Sequence, residues 1–223
     1  MIDIKVDNRI VAACPELRIG AVSATVVNSE TSDALWGEIE QSAQEIKNSY
    51  ELLEINKRPA VAATRHLYKT LGKDPGRYRM AAEQLCRRII RGLGLYRLTT
   101  LIDITNLVSF RSGYSVSGLD ADKLVGDTLT LGVGETGEVY HGIGRGELNI
   151  EHLPVYRDAV GCCATPTSDE ERTKLELTTR HIQFNINGFG PEMPMEQAVT
   201  WMVDLLKRYA SATEVETKIF ENF

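Results

Sequence analysis

Residues 101–124 read LIDITNLVSFRSGYSVSGLDADKL, and the change of period inside this stretch decides the fold. Wound at about 100° per residue, Leu101, Ile104, Thr105 and Val108 share one helical face. Asp103, Asn106, Leu107 and Phe110 share the other. Apolar residues thus surround a helix of about 99–110, which places it centrally. Its β-branched residues leave a strand as the competing reading. From about 115 the pattern turns β. Asp103 and Asn106 lie three residues apart and near each other on one face. A buried acid and amide must find partners. The pair is either a structural bolt or the floor of a pocket.

Upstream of this stretch the chain reads as helical. Leu35, Ile39, Ala43 and Ile46 recur at helical steps over 31–49, with Thr31 or Ser32 as cap. RPAVAATRHLYKTLG predicts a second helix from Pro59 to Gly72. DPGR at 74–77 is a turn, and a third helix is expected over about 77–91. Its Tyr78, Ala82, Leu85, Cys86 and Ile89 face inward, while Arg77, Arg87, Arg88 and Arg91 point outward together.

Downstream, SVSGL, DTLTLGV, EVYHGI, ELNI, LPVYRDAVGCCAT and HIQFNING read as strands, after the β-rich IDIKV and LRIGAVSATVV near the start. GIGRGE (142–147) lacks the spacing of a phosphate loop and reads as a hairpin turn. SDEERTK (168–174) is a polar loop. An amphipathic helix over about 195–210 carries Ala198, Trp201, Met202, Leu205, Leu206 and Tyr209. Its default role is packing on the sheet, with a homodimer contact as the alternative. The class is α+β in one domain over 1–223: a helical part at about 31–110, a β-rich part at about 115–190 and the C-terminal helix.

Composition narrows the function. The chain has 223 residues, 43% hydrophobic and 25% charged, with a net charge of −6. No apolar run approaches the roughly 20 residues that cross a bilayer, so no membrane partner is expected. MIDIKVDNRI does not read as a signal peptide. Cys14, Cys86, Cys162 and Cys163 fit neither a metal site nor a disulfide framework. A reduced cytoplasm is the simplest setting, with the adjacent Cys162 and Cys163 as core fillers. No metal or cofactor is expected.

The charge is segregated. Residues 57–97 hold eleven basic and two acidic side chains, a net of +9 that leaves −15 for the rest of the chain. Such a block points to an anionic partner or to a solvated face. Arginine favours phosphate because its fork bonds two oxygens at once. No nucleophile elbow, HExxH or Walker loop occurs. Histidines 66, 141, 152 and 181 are scattered, without the oriented partner a general base needs.

The stretch 92–132 resembles the B3/B4 editing domain of the bacterial phenylalanyl-tRNA synthetase beta subunit. The resemblance rests on Asp103-x-x-Asn106, Gly113, the run Leu119-Asp120-Ala121-Asp122-Lys123-Leu124 and the Gly126 turn into a strand. It continues more weakly in RDAVGCCAT and TTRHIQFNI. ERTKLELTT, LYKTLGKDPGRYR and EQLCRRIIRGLG look like the freestanding members of the group. Most of residues 60–190 is covered.

The resemblance implies a three-layer β/β/α fold and hydrolysis of mischarged aminoacyl-tRNA. A complete ligase is not expected, because the full subunit is several times longer. The resemblance places Asn106 in the pocket and Asp103 beside it as the catalytic pair, with Gly113 and Asp120 also matching. Where the family often has histidine, this chain has Ser117. Where the family's later strand carries a glutamate that reads a tyrosine hydroxyl, the ungapped alignment gives Asn185. Both departures point away from tyrosine and toward altered selectivity. The expected site is therefore Asn106 and Asp103, with Ser117, Asn185 and Gly113 around the substrate. Arg77, Arg87, Arg88 and Arg91 are expected on tRNA phosphates. The alternative is a non-catalytic module that binds tRNA, other RNA or an amino acid.

Overall fold

The computed structural model describes residues 1–223. The chain begins with strand β1 (Asp3–Val6), short helix α1 (Asn8–Ala13) and strand β2 (Arg18–Thr25). Four helices follow: α2 (Asp33–Ser49), α3 (Pro59–Leu71), α4 (Ala81–Ile90) and α5 (Thr100–Ser112). Next come strands β3 (Ser115–Asp120), β4 (Thr128–Val133), β5 (His141–Gly142), β6 (Gly146–Glu147), β7 (Pro154–Arg157), β8 (Cys162–Ala164) and β9 (His181–Gly188). Helix α6 (Met195–Tyr209) and strand β10 (Thr213–Phe220) close the chain.

Local chemistry sets most of these ends. The Ser32 hydroxyl accepts from the Leu35 N–H and starts α2. Pro59 opens α3, and Gly72 ends it at φ 97°, a left-handed value that glycine adopts without strain. The third helix starts at Ala81, four residues later than its sequence predicts. Asp74 organises the preceding turn: its side chain accepts from the Gly76 N–H and its carbonyl from the Tyr78 N–H. Arg77 therefore lies off the helix.

The sheets form two layers and the helices a third. One sheet has strand order β10-β2-β9-β3 and the other β1-β4-β7-β8. β1 runs parallel to β4, a pairing that joins the chain start to its middle. The largest core lies between the first sheet and α2, α4, α5 and α6, through residues such as Phe184, Ile186, Ile104, Phe110 and Met202. A second core lies between the two sheets, with Ile19, Ala21, Leu119, Leu131 and Tyr156. The architecture is α+β with three β/β/α layers. α5 is buried on nearly every side, as its all-round apolar pattern predicts.

Strand β9 serves both cores by alternation. Ile182, Phe184 and Ile186 enter the helical core. Gln183, Asn185 and Asn187 face the other sheet, where the Tyr156 hydroxyl donates to Asn187 Oδ1 at 2.7 Å.

Other sequence expectations are redrawn. LPVYRDAVGCCAT is a hairpin, β7 and β8, turned by Asp158, whose Oδ1 accepts from the Val160 and Gly161 N–H groups. GIGRGE forms the turn of the β5–β6 hairpin, as its sequence predicts. Cys163 fills the core, while Cys162 is only half-buried. Strand β10 carries no sequence signal: most of its residues are exposed, and pairing with β2 makes it a strand. No helix is long and apolar enough to cross a membrane.

Candidate functional site

Asn106 projects from α5 into an open cavity of about 460 Å³. α4 and the segment after it supply Gln84, Arg87, Arg88, Arg91 and Tyr96; Arg79, Arg145 and Thr167 complete the wall. The Asn106 side chain is half-buried. It stands at the floor of a cavity walled by five arginines with no acidic or histidine side chain.

A buried carboxylate organises the cations. Glu83 is fully buried and accepts from Arg87 Nε at 2.8 Å and Arg65 Nη1 at 3.0 Å. Arg79 Nε stands 3.7 Å away. Arg87 is therefore held by the protein as well as lining the cavity. Arg145 reaches in from the β5–β6 hairpin and donates to Gln84 Oε1 at 2.5 Å. Arg77, beyond the start of α4, does not line the cavity and lies near the Tyr78 ring.

The structure separates Asp103 from Asn106. Asp103 is 1% exposed and lies on the side of α5 toward the start of α2. Its Oδ2 accepts from the Thr31 hydroxyl at 2.5 Å and the Leu98 N–H at 3.0 Å. Burial raises its carboxyl above the ordinary range, against the lowering effect of those bonds. Here Asp103 ties the first turn of α5 to two connecting segments.

Three other expected pocket residues also lie outside the cavity. Ser117 and Asn185 face each other in register on β3 and β9, both buried. Asn185 Oδ1 accepts from Gln183 Nε2 at 2.9 Å, and its Nδ2 is buried without a partner. Gly113 ends α5 at φ 81°, with the Glu192 carboxylate packed against the position a side chain would take.

Asp169 is a group that sequence reading passes over inside a polar loop. Its Oδ2 accepts from the Gly118 N–H at 2.8 Å, and the Ser117 hydroxyl also bonds it. Burial pushes its carboxyl up to about 7, against both bonds. Folded protein therefore holds a proton that the unfolded chain releases between its usual carboxylate range and about pH 7. That stabilising contribution is full at low pH and lost as pH rises through about 7. Denaturant unfolding across pH 5–8 should show wild type losing roughly 2 to 3 kcal/mol relative to Asp169→Asn over that interval. Parallel pH profiles would remove this account.

Sequence reasoning also passed over Gln84, Tyr96, Arg145 and Thr167. Tyr96 had a visible signal, an aromatic among glycines in GLGLYR. The Arg145–Gln84 contact spans 61 positions and has no local signature.

The chain is similar in fold to an N-terminal fragment of the phenylalanyl-tRNA synthetase beta-subunit from Pyrococcus horikoshii, at 14% identity and a TM-score of 0.48. The match covers 97% of this chain and 50% of the fragment, so the chain spans about half that fragment's length. No curated protein matches it. The family model described as the B3/4 domain matches residues 63–209, from within α3 to the end of α6 and across the whole cavity wall. The chain belongs to the B3/4 domain family.

Proposed function

We propose that this chain hydrolyses the ester of a mischarged aminoacyl-tRNA in trans. The observation that carries the reading is Asn106, free to bond a ligand on the floor of an arginine-walled cavity. Water attacks the ester carbonyl carbon, and the bond to the ribose oxygen breaks. A proton passes to that oxygen, releasing the amino acid. Asn106 Nδ2 donates to the carbonyl oxygen as negative charge develops there. An aminoacyl ester is already activated, so a positioned water suffices where no acid or histidine lines the cavity.

In this reading Arg88 and Arg91 take tRNA phosphates beside Arg87, whose charge Glu83 holds, and they position the substrate without reading its sequence. Arg77 extends the basic surface beyond the cavity. Asp103, Ser117, Asn185 and Gly113 act through the backbone they fix, since none lines the cavity. A pocket rejects a near-isostere poorly by binding alone, which is the chemical need a separate hydrolytic site meets.

Deacylation of a panel of mischarged tRNAs tests the proposal. Asn106→Ala should lower turnover on the preferred member roughly 100-fold, the typical loss for one oxyanion donor. No turnover on any tRNA, or equal rates in both proteins, would overturn it. The absence of an acidic or histidine lining favours one second reading, a tRNA-binding module without hydrolysis. It predicts affinity that falls steeply with salt and no ester cleavage.

A further inference from the structure

The sheet β10-β2-β9-β3 has two edges, and the chain treats them differently. On β3 the edge is closed. The Val116 N–H donates to the Ser109 hydroxyl at 3.1 Å and the Gly118 N–H to Asp169 Oδ2 at 2.8 Å. The Ala82 N–H at the start of α4 donates to the Ser115 hydroxyl beside them. On β10 the edge is open. Its backbone bonds only to β2, and no loop or side chain bonds its outer side. A row of unpaired backbone groups is a template for another strand.

Native edges are usually blunted by shortness, proline, a bulge or charge. β10 is eight residues long and carries no proline. Its bulge lies near the start, where Glu214 has φ 50°. Glu216 to Phe220 then pair regularly with Ser23 to Ile19. The charges remain, and they match one another. Val215 and Ile219 pack against the helical core, so by alternation Glu216 and Lys218 face the other side of the sheet. Their present partners are Met1 and Asp3. Glu216 is 62% and Lys218 54% exposed, so these solvated pairs are easily shared.

We propose that β10 pairs with β10 of a second copy of this chain, antiparallel about a twofold axis at Thr217. The two four-stranded sheets then form one continuous sheet. An axis perpendicular to the sheet keeps both helical layers on one side. It sets Glu216 opposite Lys218 of the second copy, twice by symmetry. Val215 meets Ile219 on the helical side, and Thr217 meets its own copy. Each of these is a favourable cross-strand pair. An axis at Glu216 or at Lys218 would set like charges face to face, which disfavours those registers. The strand therefore favours one self-pairing register. The contact is isologous and closes at two copies. α4 and α5 pack at the β3 side, so pairing leaves the arginine-walled cavity open. It uses no residue of that cavity, and failure of either reading leaves the other intact.

Sedimentation equilibrium of the full chain over about 1 to 300 µM tests the pairing, a range suited to a modest interface. Wild type should show a reversible monomer–dimer equilibrium. Lys218→Glu sets two glutamates opposite each other at both pairs and should weaken the dimer about tenfold or more. Glu216→Lys should do the same with lysines. Both side chains are exposed, so neither change unfolds the monomer. An equal mixture of the two variants restores opposite charges at both pairs. That mixture should form a heterodimer near wild-type affinity while each variant alone dissociates. A dimer unmoved by either substitution, or a mixture that stays dissociated, would overturn the proposal. A wild-type chain that is monomeric throughout would also overturn it, and would leave the edge to a strand of another protein.

Discussion

Replacing Arg58 with alanine is expected to lower the unfolding free energy by about 3 to 5 kcal/mol, the usual result of leaving one half of a buried ion pair. The Arg58 side chain is 1% exposed. Its Nε and Nη2 donate to Glu192 Oε1 at 2.8 and 2.5 Å. Nη1 donates to the Phe110 carbonyl at 2.6 Å and Nη2 to the Arg111 carbonyl at 3.0 Å. Those carbonyls end α5, where no intrahelical donor remains. Glu192 in turn accepts from the Ala60 N–H at 3.0 Å. One guanidinium therefore joins the end of α5, the start of α3 and the segment before α6. Alanine would leave Glu192 and two helix-end carbonyls without that donor. Urea midpoints measure the effect. A double variant, Arg58→Met with Glu192→Leu, should recover part of the loss because neither charge is left alone. A loss below about 1 kcal/mol in Arg58→Ala would mean the pair behaves as a solvated surface bridge.

The sequence carried this fold where local pattern and burial agree. α3 is delimited by Pro59 and Gly72, and β9 occupies the full HIQFNING run. α5 was readable as central because its wheel is apolar all round. The same property hid the different directions of Asp103 and Asn106. Residues three apart are about 60° apart around a helix. In a helix packed on every side, that angle sends Asp103 to Thr31 and Asn106 to the cavity. β10 escaped because an exposed edge strand need not alternate. Segregated charge marked the arginine surface, yet Arg77 fell off it when Asp74 delayed the helix. The cavity floor from α5 was legible, while Arg145 and Thr167 come from segments that only tertiary structure brings near.

Glu83 decides how cationic that cavity is, and its removal should show in both stability and binding. It is the buried carboxylate on which Arg65 and Arg87 converge, with Arg79 nearby. Glu83→Ala should lower stability by about 3 kcal/mol, toward the lower end for a broken buried pair. The low end applies because the guanidinium groups keep some water: Arg65 is 22% and Arg87 17% exposed. Glu83→Gln retains shape and an acceptor but removes the charge. With Arg87 no longer neutralised, the cavity gains one cation for a phosphate ligand. If the cavity takes nucleic acid, log affinity against log salt should steepen by about 0.7 to 0.9 for the added phosphate contact. Affinity at low salt should rise with it. An unchanged slope in a folded Glu83→Gln protein would show that Glu83 and the phosphate do not compete for Arg87. The expected pattern, weaker fold with steeper salt dependence, would place a structural carboxylate in control of the field around Asn106.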